Sequence, residues 1–149
     1  MITLPSGLVL TEPPRAAGAY RPGVIANGFV FLCGFGPRLA DGTPIRGVVG
    51  GDMSVEQARA AARIVGLSIL AALDDMLGSL DEVRQMVKVT GMVNAVPQFT
   101  EHPRVLDGCS AVLVEALGPR GEHARAAYGV CSLPFGAPVS IEAIAQIMD

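Results

Sequence analysis

Between Ser54 and Gly78 the chain carries both ends of a long helix and few charges in its second half. Ser54-Val55-Glu56-Gln57 has the pattern of a capping box, a hydroxyl at the cap and a side-chain amide three residues on. Apolar residues then recur at Val55, Ala58, Ala62, Val65, Ile69, Ala72 and Met76, alternating steps of three and four, which is helical periodicity. Glu56, Arg59 and Arg63 keep the first half amphipathic, whereas Ala61, Ile64 and Leu67 make the opposite side apolar as well. Gly78 supplies the C-terminal stop after Leu77. A helix that is apolar on most sides has to be covered on most sides, so it belongs inside a layered fold.

The flanking pattern supplies the other layers. Short apolar runs at Leu8–Leu10 and Phe29–Cys33 read as strands between turn signals such as Pro13-Pro14, Pro22-Gly23 and Gly34 to Pro37. The Val-rich stretch Val83–Ala95 predicts a strand ended by Pro97. A second helix follows Thr100, with Pro103 tolerated in its first turn, and runs to Leu117 before Gly118-Pro119. Ala124–Cys131 and Val139–Ile147 close the chain as two more strands. The order of strands, helix, strand, helix, strands predicts an α+β fold over residues 1–149, with a mixed sheet and both helices on one face. Asp74-Asp75 and Asp81-Glu82 read as a solvated edge beyond the first helix.

Composition narrows the function classes. Half of the 149 residues are hydrophobic and 17% are charged, so the surface of an isolated protomer has few charges to cover it. The longest apolar run, Ile64–Leu73, falls short of the ~20 residues of a membrane-spanning helix, and Met1–Gly7 lacks the features of a signal peptide. The expectation is a homo-oligomer that stays out of the membrane. Net charge of −3 with one lysine, Lys88, argues against a nucleic-acid surface. Three cysteines without Cys-x-x-Cys spacing and two histidines not at i, i+4 suggest no disulfide framework, zinc site or other metal centre. A reducing cytoplasm is the compartment this cysteine usage fits.

Among candidate functional groups, Arg125 stands out. Its neighbours His123 to Cys131 are mostly small, and strand alternation places Arg125, Ala127, Gly129 and Cys131 on one face. A guanidinium with only methyl and hydrogen beside it has space in front of it and offers a planar fork for a carboxylate. The alternative is a structural ion pair with an acid of this or another chain. Tyr20, in the turn-rich Gly18–Gly23 segment, either packs its ring or orients a polar ligand. The cysteines with His102 and His123 permit a thiolate–imidazole pair in principle, but Cys is commonly a buried small hydrophobe. Gly34-Phe35-Gly36 matches half of a dinucleotide fingerprint, yet Pro37 follows and no helix begins there, so it reads as a strand-ending turn. The methionines on predicted elements read as core.

Taken together, the pieces resemble the RidA/YjgF family of reactive-intermediate deaminases, also known as the endoribonuclease L-PSP family. The resemblance spans nearly the whole chain. It rests on Gly18-Ala19-Tyr20 with Gly23-Val24, on Phe31-Leu32-Cys33-Gly34-Phe35-Gly36-Pro37, and on the helix after Ser54. Its most specific part is Ala124-Arg125, then Leu133-Pro134, then Val139-Ser140-Ile141-Glu142-Ala143-Ile144-Ala145. The Phe99-Thr100-Glu101-His102-Pro103 segment is similar to a longer variant subgroup.

That resemblance implies a chorismate-mutase-like fold assembled as a cytoplasmic homotrimer, with a barrel-like core and clefts between subunits. It implies hydrolysis of 2-imino or enamine acids to 2-keto acids and ammonia, with no cofactor. By the same resemblance Arg125 clamps the substrate carboxylate as the catalytic residue. Backbone N–H groups near Gly34 and Ala127 add hydrogen bonds, and Tyr20 lines the cleft. The chain departs from the family's pattern at four positions. Ser140 stands where the active deaminases carry a water-positioning glutamate, Asp107 where they carry asparagine, Cys33 for serine and Ala127 for cysteine. Glu142 lies two residues along from Ser140, a displacement of ~7 Å in a strand. Asp107 has two readings: it pairs with Arg125 and gates it, or it caps its own helix and never meets the ligand. The alternatives to a deaminase are a trimeric small-carboxylate-binding or chaperone-like protein without turnover, or an endoribonuclease acting as a translation inhibitor.

Overall fold

The computed structural model describes residues 1–149. In chain order the elements are β1 (Ile2–Thr3), β2 (Val9–Leu10), β3 (Gly23–Ala26), β4 (Phe29–Leu32), α1 (Val55–Leu77), β5 (Val83–Asn94), α2 (His102–Leu117), β6 (Ala124–Val130) and β7 (Val139–Ile147). β1 and β2 form a small antiparallel pair, and the other five strands make one sheet in the order β3-β4-β7-β5-β6. Only β5 and β6 run parallel, so the sheet is mixed as the element order predicts.

α1 begins as expected. The Ser54 hydroxyl accepts the Gln57 amide hydrogen at 3.1 Å, and the Gln57 side chain returns the bond to the Ser54 N–H at 2.9 Å. Gly78 closes the helix at φ 82°, a left-handed conformation that costs glycine little. Ile69 through Leu73 are all buried, so α1 is covered on every side over these five residues, while Asp75 near its end is exposed. α2 lies alongside it at close range. A Cβ on Gly108 would collide with the Arg59 carbonyl oxygen, and one on Gly66 with Val112. Both helices pack on one face of the sheet, where Leu106 fills the space above Gly91.

The strand β3 was not expected. Pro22-Gly23 reads as a turn, yet Gly23–Ala26 pairs with β4 in the register Ala26↔Phe29. The two residues between them, Asn27 at φ 49° and Gly28 at φ 78°, are both left-handed, as a tight hairpin requires. Asn-Gly is the strongest short-range hairpin signal, and it stands in the sequence. The expected strand ends also move: Leu8 and Cys33 lie just outside β2 and β4, Ala95 just beyond β5, and Cys131 just beyond β6.

Register sorts the sheet into two faces. Val89 opposes Arg125 and Ala143, and Gly91 opposes Ala127 and Ile141, and this is the face the helices cover. Thr90 opposes Ala126 and Glu142, and Met92 opposes Tyr128 and Ser140, on the other face. Within this chain no element covers that second face. Phe31 and Tyr128 are nearly half exposed there.

Candidate functional site

Arg125 lies on β6, the edge strand, and points to the helix side, where α2 presents Asp107 and Ser110 three residues apart on one face. Arg125 Nη1 donates to Asp107 Oδ1 at 2.9 Å and to the Ser110 hydroxyl at 3.0 Å. Nη2 lies 3.4 Å from the Pro103 carbonyl oxygen. The expectation of open space in front of this guanidinium is therefore corrected. Its strand neighbours are small, but α2 occupies the volume they leave. Its side chain is 22% exposed and that of Asp107 is 47% exposed, so the pair faces solvent on one side. Asp107 sits in the middle of α2 rather than at its end, which removes the helix-capping reading and leaves the pairing one.

The network extends to Ser110, which strand and helix patterns alone do not single out, and to His123, whose expected partner was a thiolate. Ser110 Oγ is 2.9 Å from His123 Nε2, and His123 Nδ1 is 2.6 Å from the Gly121 carbonyl oxygen. A carbonyl only accepts, so Nδ1 carries a hydrogen; in the neutral ring Nε2 then accepts from Ser110. Ser110 is thereby oriented to accept from Arg125. The signal was available: His123 is two residues from Arg125, on the same strand face, and Ser110 is one helical turn from Asp107.

Four other expected site residues converge elsewhere. Tyr20, Cys33, Gly34 and Ser140 line one cavity of about 150 Å³ at the end of β4. A Cβ on Gly34 would lie 2.9 Å from the Ser140 hydroxyl, so the glycine lets these two segments meet. The Tyr20 ring is half exposed at its mouth, its hydroxyl 3.4 Å from the Ala17 amide. Arg15, Arg38 and Phe135 complete the rim. Glu142 shares the open face with Ser140 but lines an adjacent groove with Phe31, Lys88 and Thr90.

Two of the three thiols, Cys33 and Cys109, are held in the protonated form by their surroundings. Burial pushes the Cys33 thiol above its ordinary value, a backbone hydrogen bond opposes this, and the charge of Glu142 adds to the rise. Burial pushes Cys109 up to about 12 although Arg125 lies near enough to lower it. Both stay protonated at neutral pH, which weakens the thiolate–imidazole option. No three His, Cys, Asp or Glu side chains cluster as metal ligands. No helix is long and apolar enough to cross a membrane.

Arg125 and Ala127 thus occupy the helix-covered face, while Ser140 and Glu142 occupy the other. β4 and β6 are also three strand spacings apart, ~14 Å. Within one chain these two groups of residues do not converge.

The model of a family described as "YjgF/chorismate_mutase-like, putative endoribonuclease" matches residues 2–146. Protein TCP17 of Trypanosoma cruzi is 33% identical over 142 residues, covering 95% of this chain and 89% of that protein. A crystal structure of a "putative endoribonuclease" from Shewanella oneidensis superposes with TM-score 0.90 at 30% identity, covering 95% of this chain and 94% of that one. The protein Atu1372 of Agrobacterium tumefaciens, described as of unknown function, gives TM-score 0.83 at 38% identity over 86% of this chain and 82% of its own. With its two helices over a mixed sheet, and matched from end to end, this chain belongs to the YjgF/chorismate-mutase-like family.

Proposed function

We propose that this protein is a cofactor-free deaminase of small 2-imino or enamine acids, acting as a homotrimer in which the β6 edge of one protomer meets the open sheet face of the next. The observation that carries the reading is the division of the site. The Arg125 guanidinium sits at the β6 edge, the cavity that holds Ser140 lies at the end of β4 three strands away, and placing two protomers together is the arrangement that would join them. The exposed Phe31 and Tyr128 on the open face support the same arrangement, since apolar surface of this kind favours cover.

In that cleft Arg125 binds the substrate carboxylate and leaves the adjoining carbon in a defined place. Water adds to the carbon of the C=N bond and the nitrogen takes up a proton. The tetrahedral adduct then expels ammonia as its hydroxyl becomes the ketone, so imine plus water gives 2-keto acid plus ammonia. An imine carbon is already electrophilic, so orientation supplies much of the rate. In this reading Ser140, Cys33 and Gly34 surround the attacking water, and Glu142, on the sheet face of Ser140 and close enough for its charge to reach Cys33, accepts its proton.

Ammonia release from 2-aminoacrylate, generated in place by a dehydratase, tests the reading. The protein is expected to accelerate it. Arg125→Ala is expected to lower the rate roughly a hundredfold or more, the worth of two charge-assisted hydrogen bonds, while the oligomer persists. No acceleration by the unaltered protein overturns the enzyme.

A second reading, a small-carboxylate-binding protein without turnover, is favoured by Ser140 at the water position and by Glu142 lying in its own groove. Calorimetry with keto acids beside the ammonia assay separates the two. The endoribonuclease named among the relatives is the third reading, and the net charge of −3 gives it the least support. A steep salt dependence of RNA binding would favour it.

A further inference from the structure

We infer that the cavity at the end of β4 receives a second anionic group, so that the preferred substrate is a 2-imino acid whose side chain carries its own carboxylate or phosphonate-like anion. This rests on the proposed deaminase reading and names its substrate class.

The cavity that gathers Tyr20, Cys33, Gly34 and Ser140 is also lined by Arg15 and Arg38, and by no Asp, Glu, Lys or His. Neither arginine forms an ion pair. The salt bridges of this chain engage Arg63, Arg84, Arg104 and Arg125. Arg38 is held in place without being neutralised. Its Nη1 donates to the Gly42 carbonyl at 2.9 Å, and its guanidinium carbon lies 5.4 Å from the centre of the Phe135 ring. Phe135 is itself fixed at φ 61°, a conformation rare for a bulky side chain. A guanidinium has five N–H donors, and only one of Arg38's is taken up within the chain. Arg46 adds to the same field: its Nη1 would lie 3.5 Å from a Cβ on Gly136, next to Phe135.

The two half-sites therefore differ in charge. Arg125 already has Asp107 as a counter-ion, and its half is close to balanced before a ligand arrives. The cavity half holds two cations without an ion-pair partner at the rim of a mixed polar and apolar pocket. A monoanionic acid bound through Arg125 would leave that second charge unmatched, whereas a dianion matches both halves. Glu142 lines the adjacent groove beside Lys88, and although its charge reaches Cys33 it forms no salt bridge with Arg15 or Arg38.

Pyruvate, oxaloacetate and phosphonopyruvate form a matched series, differing in whether the methyl carbon bears hydrogen, carboxylate or phosphonate. Calorimetry on the intact protein at low salt is expected to show oxaloacetate or phosphonopyruvate binding about fivefold to tenfold more tightly than pyruvate. That advantage should shrink as salt is added. Which of the two dianions binds more tightly identifies the terminal group. Arg38→Gln and Arg15→Gln are each expected to cut the dianion-to-pyruvate ratio severalfold. Arg15 lies in an exposed loop without a hydrogen-bonded partner, so its variant keeps the test valid should Arg38→Gln disturb the Phe135 turn. Equal affinities across the series, or a ratio that neither variant moves, overturn the inference. Ammonia release from imines matching pyruvate and oxaloacetate separates its fate from that of the deaminase. Turnover without preference sinks the dianion and keeps the enzyme; preference in binding without turnover does the reverse.

Discussion

Arg125 shows how much a single partner changes what a cation can do. Bound to Asp107, it is a guanidinium with one acceptor already in hand, and an incoming carboxylate has to compete for it. Asp107→Asn keeps the side-chain shape and removes the competing charge. It is expected to raise keto-acid affinity about fivefold, while costing at most about 1 kcal/mol in urea unfolding, because the pair is partly exposed. A loss of affinity as large as that of Arg125→Ala would instead make Asp107 a positioning residue. Cys109 carries a prediction of a different kind. Its thiol is pushed from 9.0 up to about 12 by burial, so between those values the folded chain holds a proton that the unfolded chain has released. Stability then falls as pH rises above 9, by at most ~1.4 kcal/mol per pH unit from this group. Cys109→Ala is expected to flatten that decline in urea melts, measured against the unaltered protein at each pH.

At the scale of elements, the long helix was legible in full because its signals are local. Capping box, three-and-four spacing and terminal glycine all depend on residues within a turn of one another. Ser54→Ala is expected to cost about 1 kcal/mol in a urea melt, the usual worth of an N-cap. The packing of α1 on α2 was not legible. Gly108 reads as an ordinary weak spot in a helix, yet it is where the second helix meets the Arg59 carbonyl. Gly108→Ala would improve helix propensity and is nonetheless expected to destabilise the fold by about 2–3 kcal/mol, since backbone has to move. A variant as stable as the parent would show that the helices can separate at no cost. β3 lies between these cases. Asn27-Gly28 is a local hairpin signal at the end of the strand, whereas Pro22-Gly23 at its start has the composition of a turn.

For the whole molecule, the open sheet face and the free edges of β3 and β6 set the outstanding question. If the trimer forms as proposed, sedimentation should give three times the 15.4 kDa chain mass. Phe31→Glu should lower that mass, because a carboxylate would be placed on apolar surface beside Glu142. The same variant should lose activity even though Phe31 is not assigned a chemical role, since each half-site would be left alone. A Phe31→Glu protein that remains trimeric and active would move the interface elsewhere.

The order of elements, the ends of α1 and α2, and the presence of one unusual cation on a strand of small residues were all determined by the chain itself. Each follows from periodicity or from chemistry within a few residues. Tertiary structure alone decided that Arg125 points at Asp107, that Ser140 and Glu142 lie across the sheet from it, and that Arg15 and Arg38 join Tyr20 at a cavity rim. Those outcomes depend on strand register and on segments far apart in the chain, where a shift of one residue exchanges the two faces of the sheet.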